Sequence, residues 1–278
     1  MQIQFYVPFV FWVLKHTKCN NDCNNLILIT NQTSQPNLYR IRHVVLKIGW
    51  FLYQPICMNF TQQQLQDDKH KIKVTSVDFH AILPLLATAS TNSKVILYNL
   101  TTFPPNIQCT LSDHTRGIQC VTFHPNQPLV ATGSYDKTVF IYDISKGFPI
   151  IKEHLKHHTD YVTCIAFHSI FPLFATGSYD TSIILYDLCS ASKTTKQYQF
   201  KNHNKNVSVV VFHPCLKILM SGSWDNSVVL YDISILPPII KHHLNHHTHV
   251  VHSAVFHPNL PLLATGSADC STLLYDIC

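Results

Sequence analysis

Five histidines in this chain each stand 22 residues ahead of an aspartate or asparagine: His70 and Asn92, His114 and Asp136, His158 and Asp180, His203 and Asp225, His247 and Asp269. An imidazole beside a carboxylate can move a proton, orient a nucleophile or help hold a metal. Recurrence in phase argues for another role. Catalysis needs such a pair once, whereas a repeated structural element needs it in every copy, because a buried imidazole wants both ring nitrogens satisfied. Asn92 gives the first copy an uncharged and weaker bond. The sequence holds no Gly-x-Ser-x-Gly elbow, no phosphate-binding loop and no His-Glu-x-x-His, so no catalytic residues and no cofactor are expected.

Histidine is the outlier of the composition, at 19 residues. Many cluster outside the repeat positions, in "HLKHH" (His154 to His158) and "HHLNHHTHVVH" (His242 to His252). Imidazoles at alternate strand positions share a face and could take a metal. No cysteine or carboxylate pattern accompanies them, and no metal residues are assigned. His16, Cys19 and Cys23 offer half of a zinc site with no second half. The ten cysteines form no close-spaced framework, and buried free thiols in a reducing compartment are the expectation.

The elements that position these pairs follow from a second marker. Phe79, Phe123, Phe167, Phe212 and Phe256 lie 44, 44, 45 and 44 residues apart, each nine residues after its histidine (His70, His114, His158, His203, His247). Around them, "YVTCIAFH" (Tyr161 to His168) and "VILYNL" (Val95 to Leu100) are rich in β-branched and aromatic residues. In Gly-Ser-x-Asp, the aspartate suits a turn by bonding local backbone, and the glycine is read as supplying an unusual φ. Each unit therefore holds about four short strands. Such a unit cannot bury both faces alone. Sheets packed face to face around an axis can, which predicts an all-β β-propeller with four-stranded blades.

The order His, Phe-His-Pro, Ala-Thr-Gly-Ser-x-Asp, Tyr-Asp resembles the WD-repeat propeller family over about residues 67 to 278. There are departures. The family's Gly-His is Asp113-His114, His157-His158, Asn202-His203 and His246-His247, and its Trp-Asp is Tyr-Asp at Tyr142, Tyr186, Tyr231 and Tyr275. Only the His–Asp part of the family's hydrogen-bond network is carried over. The resemblance further implies closure by an N-terminal strand that completes the last blade, for which "CMNFTQQQL" (Cys57 to Leu65) is the candidate. The expected division is 57–278 as the propeller, with five clear repeats, and 1–56 as either a degenerate sixth blade or a non-propeller leader.

By the same resemblance, the turn carrying the aspartate shares a face with the repeat histidine, and that face usually meets partners. The residue before the turn aspartate is Tyr135, Tyr179 and Trp224 in consecutive units, flanked by Thr91 and Ala268. A solvent-facing turn has no packing need for an aromatic, and Tyr and Trp anchor interfaces. Tyr161 would extend the patch, and Lys73 would add a positive rim. The expectation is a non-catalytic scaffold that recognises a protein or peptide. Two alternatives stand beside it. One is a ubiquitin-ligase substrate adaptor, although Thr101, Ser145, Cys189 and Ser234 stand where such adaptors often carry arginine. The other is a metal-dependent propeller enzyme using the histidine clusters.

A net charge of +5 with scattered Lys and Arg gives no strong nucleic-acid signal. The apolar start, Phe5 to Leu14, is too short to cross a bilayer. A cytoplasmic or nuclear location is the default expectation.

Overall fold

The computed structural model describes residues 72–102, 104–188, 195–235 and 237–277. The chain divides into two compact units, Met1–Gln62 and Gln63–Cys278, and everything described lies in the second. His70, the candidate closing strand 57–65 and the segment 1–56 lie outside the described residues.

Among the described residues, nineteen strands form five antiparallel sheets. Blade 1 holds β1 (Val74–Phe79), β2 (Leu85–Ser90), β3 (Val95–Asn99) and β4 (Asn106–Leu111). Blade 2 holds β5 (Ile118–Phe123), β6 (Leu129–Ser134), β7 (Val139–Asp143) and β8 (Ile150–Leu155). Blade 3 holds β9 (Val162–Phe167), β10 (Leu173–Ser178), β11 (Ile183–Asp187) and β12 (Thr195–Phe200). Blade 4 holds β13 (Val207–Phe212), β14 (Ile218–Ser223), β15 (Val228–Asp232) and β16 (Ile239–Leu244). Blade 5 holds β17 (Val251–Phe256), β18 (Leu262–Ser267) and β19 (Thr272–Asp276), and is three-stranded among the described residues. Strands follow sequence order within every sheet, and the first strand of each blade lies against the first strand of the next. These are the blades of a β-propeller.

Burial explains the run of apolar and small residues in each unit. A blade between two others is covered on both faces, so β6, β10 and β14 are buried at every position, and β7, β11 and β15 at all but the last. In blades 1 and 5, Val77, Phe79, Val255 and Leu274 are 60–66% exposed.

The glycines of Ala-Thr-Gly-Ser are not turn residues, contrary to the sequence reading. Gly133 and Gly177 sit inside β6 and β10. A Cβ on Gly177 would stand 2.6 Å from Cys164 Sγ and 2.7 Å from Val207 Cγ1 of the next blade, and one on Gly133 2.7 Å from Val162 Cγ1. Glycine is present for close approach. The left-handed turn conformation falls instead on the residue after the Asx: Ser93, Lys137, Thr181, Asn226 and Cys270, all at φ between 65 and 73°. The thiols also differ from expectation. Cys164 is buried, but Cys215 and Cys270 are exposed.

Two devices tie neighbouring blades. A bulge between the first and second strands of each blade leaves Thr75, Thr163 and Ser208 out of register. Their hydroxyls donate to carbonyls of the next blade: Thr75 to Ile118 (2.6 Å), Thr163 to Val207 (2.5 Å) and Ser208 to Val251. The second device is the histidine after each phenylalanine. Nδ1 of His168 accepts the N–H groups of Ile170 (3.0 Å) and Phe171 (3.2 Å), while Nε2 donates to the Leu216 carbonyl of blade 4 (3.0 Å). Its ring also lies 5.2 Å from Phe212 of that blade. The rings of His80, His124 and His213 lie likewise against Phe123, Phe167 and Phe256 at 5.1–5.2 Å.

Candidate interaction face

At the other end of the strands, the four described repeat histidines each meet their turn aspartate. His158 Nδ1 donates to Asp180 Oδ2 (2.9 Å), and Nε2 meets the Thr176 hydroxyl (2.7 Å). Asp180 also accepts from the Thr159 N–H (2.8 Å), the Ser182 N–H (2.9 Å) and the Ser182 hydroxyl (2.5 Å). His114 with Asp136, His203 with Asp225 and His247 with Asp269 repeat it at 2.8, 3.1 and 2.8 Å. Burial alone would raise the carboxyl of Asp180, but the hydrogen bonds from His158, Ser182 and Thr159 outweigh it and hold it well below the usual carboxylate range. Asp136 and Asp225 are held low in the same way. Asn92 makes the turn bond, accepting from the Lys94 N–H (3.2 Å). The paired residues are thus a turn lock, and the carboxylate oxygens of Asp180 are committed to imidazole, backbone and hydroxyl donors.

The tyrosines in place of the family's tryptophan are the large buried side chains beneath this lock. Tyr142, Tyr186 and Tyr231 are at most 1% exposed. The residue before the repeat histidine, which sequence reading left without a role, meets the tyrosine hydroxyl in blades 2 and 3. Tyr142 donates to Asp113 Oδ2 (3.0 Å), and the Tyr186 hydroxyl meets His157 Nδ1 (3.3 Å). Burial first, and then the Asp113 charge, push the Tyr142 phenol far up. The hydroxyls of Tyr231 and Tyr275 are buried with no hydrogen-bond partner among the described residues. The 29-residue spacing of Asp113 and Tyr142 also joins Asn202 to Tyr231 and His246 to Tyr275, so the sequence did not distinguish the two bonded pairs from the other two.

The aromatic residues before the turn aspartates come together as one row. Tyr135 meets Tyr161 edge to face at 4.9 Å, Tyr161 meets Tyr179 at 5.6 Å, and Tyr179 meets Trp224 at 5.9 Å. The backbone sets this row. The N–H of each turn residue donates to the carbonyl six residues before the phenylalanine: Tyr135 to Gly117 (2.9 Å), Tyr179 to Tyr161 (2.9 Å), Trp224 to Asn206 (3.0 Å). Both positions therefore share one end of the blade, as Tyr161 and Tyr179 require. The three tyrosines are half-buried, and Trp224, at the end of the row, is 40% exposed. Gly117 leaves room for the Tyr135 ring, whose Cδ2 would stand 3.2 Å from a Cβ there. Lys73 is exposed beyond the other end, in blade 1, where its carbonyl pairs with Thr91 rather than with an aromatic residue. The row spans blades 2 to 4 and stops at Thr91 and Ala268.

Among the described residues, no three His, Cys, Asp or Glu side chains are grouped to hold a metal ion. No helix among them is long and apolar enough to cross a membrane.

The family model of the WD domain, G-beta repeat, matches residues 105–143, 150–187, 194–232 and 239–276. Each match runs from the outer strand of one blade through the third strand of the next. The unit ending at Asn99, with Asn92 in its turn, is not among the matched segments. No curated protein matches the chain. The matched segments cover more than half of the sequence and coincide with the blades and their His–Asp locks, and the chain belongs to the WD40-repeat family.

Proposed function

We propose that this protein is a non-catalytic interaction scaffold whose blades hold one aromatic row, Tyr135, Tyr161, Tyr179 and Trp224, toward a protein or peptide partner. The observation that carries this reading is the continuity of the row across three blades at 4.9–5.9 Å, on turns whose own fold is already fixed by the His–Asp lock. The fixed backbone lowers the ordering cost of binding, and a solvent-edged Tyr–Trp surface is what interfaces use as an anchor. WD40 repeats in general act as binding platforms rather than as enzymes, which supports the same reading. Tyr135, Tyr161, Tyr179 and Trp224 make the contact, with Lys73 at the rim. The test is affinity capture with the full chain and with a Tyr135→Ala, Tyr179→Ala, Trp224→Ala variant of matched circular dichroism. Partners captured by the wild type should be lost from the variant. Equal capture by both would remove the aromatic row from the interface.

A further inference from the structure

We propose that blade 5 of one copy of this chain docks on blade 1 of a second copy, head to tail, through the same contact that joins neighbouring blades within the chain. That contact has two seats, and both are repeated. In the first, the leading residue of a blade fills the space over a glycine of the blade before it. A Cβ on Gly133, Gly177 or Gly222 would stand 2.7–2.8 Å from Cγ1 of Val162, Val207 or Val251. In the second, the histidine after each phenylalanine lays its ring on the phenylalanine of the following blade, as His80 does on Phe123 and His213 on Phe256, both at 5.2 Å. Nε2 of that histidine reaches a carbonyl of the same neighbour: Gln127 from His80 at 3.2 Å, and Leu216 from His168 at 3.0 Å.

Blades 5 and 1 each present one half of this contact. On blade 5, a Cβ on Gly266 would meet Ser253 Oγ of its own blade and, among the described residues, no leading side chain of another. His257 holds its own turn, with Nδ1 accepting the N–H groups of Asn259 (3.0 Å) and Leu260 (2.9 Å). It is nevertheless exposed, whereas His80, His124, His168 and His213 are buried. Leu274 is also exposed, although Leu185, at the same place in blade 3, is buried in one cluster with Val207 and Val210 of blade 4. On blade 1, Val74, Val77 and Phe79 stand where blades 2, 3 and 4 meet the blade before them. They are 46–64% exposed, and their equivalents in those three blades are at most 9% exposed. Apolar exposure of this size on a terminal repeat marks an interaction face, since end repeats otherwise carry polar outer surfaces.

The occupant follows from the match between the halves. Gly266 and His257 are spaced as Gly177 and His168 are, and those two receive Val207 and Phe212. Val74 and Phe79 are spaced as Val207 and Phe212 are. Residues 1–71 contain no Phe-His pair and one glycine, Gly49, so the blades themselves hold the sequence that suits each face. A second copy supplies blade 1 to blade 5 with the residues already in register. The two faces are different surfaces, so the contact is heterologous, and copies add in one direction into a ring or a filament. It uses blades 1 and 5 and leaves the aromatic row of blades 2 to 4, once per copy.

The test is sedimentation velocity with light scattering on the full chain, from about 1 to about 100 μM. Wild type should reach the mass of two or more copies. Gly266→Val fills the seat on blade 5, and Val74→Glu puts a charge on the half-exposed residue of blade 1. Each should weaken self-association at least about tenfold. Leu274→Lys, a surface change on the same face, replaces Gly266→Val if circular dichroism shows that variant to be misfolded. Mixing the two variants leaves one intact contact, from blade 5 of the Val74→Glu copy to blade 1 of the Gly266→Val copy. A complex of two copies and nothing larger is expected from the mixture. A single-copy mass for the wild type across the whole range overturns the proposal and gives the two faces to another occupant. Self-association that neither substitution weakens overturns the surfaces assigned. Self-association lost in Val74→Glu but kept in Gly266→Val means that blade 1 pairs with itself, which overturns the head-to-tail order, as does a mixture that forms no complex.

Discussion

The imidazole of His124 in blade 2 lies 5.1 Å from the ring of Phe167 in blade 3, while its Nδ1 accepts the N–H groups of Asn126 and Gln127, each at 3.1 Å. That geometry requires the neutral ring, because a proton on Nδ1 would abolish both acceptor bonds and bury a charge on an aromatic face. Burial first, then the neighbours His80 and Lys152, pull the His124 pKa down to about 4. His168 and His213 are lowered as well, burial being the main cause for each. For a base whose folded pKa is depressed, the stabilisation is complete above the ordinary histidine value and is lost as pH falls toward the folded one. The melting temperature should therefore decline between about pH 6.5 and 4. His124→Asn, which keeps an acceptor for the turn, should flatten that decline. A melting curve equally steep in the variant would show that this histidine does not drive it.

The turn locks titrate lower. Asp136, Asp180 and Asp225 are depressed, so their contribution is present above the ordinary carboxylate pKa and lost only as pH falls below it. Asp180→Ala leaves His158 Nδ1 and the Ser182 and Thr159 donors without their acceptor. A loss of roughly 3 kcal/mol in urea unfolding is expected. A loss under about 1 kcal/mol would mean that the lock is replaced readily by water.

Two tyrosines at the same repeat position should respond oppositely to loss of a hydroxyl. Tyr142→Phe breaks the bond to Asp113 at 3.0 Å and should cost about 1–2 kcal/mol. Tyr231→Phe removes a buried hydroxyl that has no hydrogen-bond partner among the described residues and should be neutral or stabilising by up to about 1 kcal/mol. Paired unfolding curves decide it.

Gly177→Ala should destabilise by roughly 1–3 kcal/mol, since the new methyl would stand 2.6 Å from Cys164 Sγ and 2.7 Å from Val207 Cγ1. Combining it with Val207→Ala should recover part of the loss, as measured by a double-mutant cycle. Strict additivity would place the strain within blade 3 rather than between blades.

Much of the fold was legible because one spacing was repeated. His, Phe, Asp and Tyr at fixed intervals gave the blades, and the observed strands end at the expected Phe-His and Tyr-Asp positions. The aromatic row was legible as residue type at one turn position, and its continuity follows from a backbone bond between that position and the one occupied by Tyr161. Other features were hidden in pairings across blades. Gly177 looks like a turn residue until Val207 of the next blade stands over it. His168 looks like one more histidine until its two nitrogens are seen holding a turn and a neighbouring carbonyl. Asp113 is a departure from a motif until the Tyr142 hydroxyl reaches it.

The most direct test of the central reading is site-specific photo-crosslinking in cells. One form of the full chain would carry Tyr179→p-benzoylphenylalanine, and a control would carry the same residue at Ile170, an exposed position in the turn at the opposite end of β10. Protein adducts from position 179 and none from 170 are expected. Adducts from 170 with none from 179 would contradict the assignment of the aromatic row as the partner-binding surface.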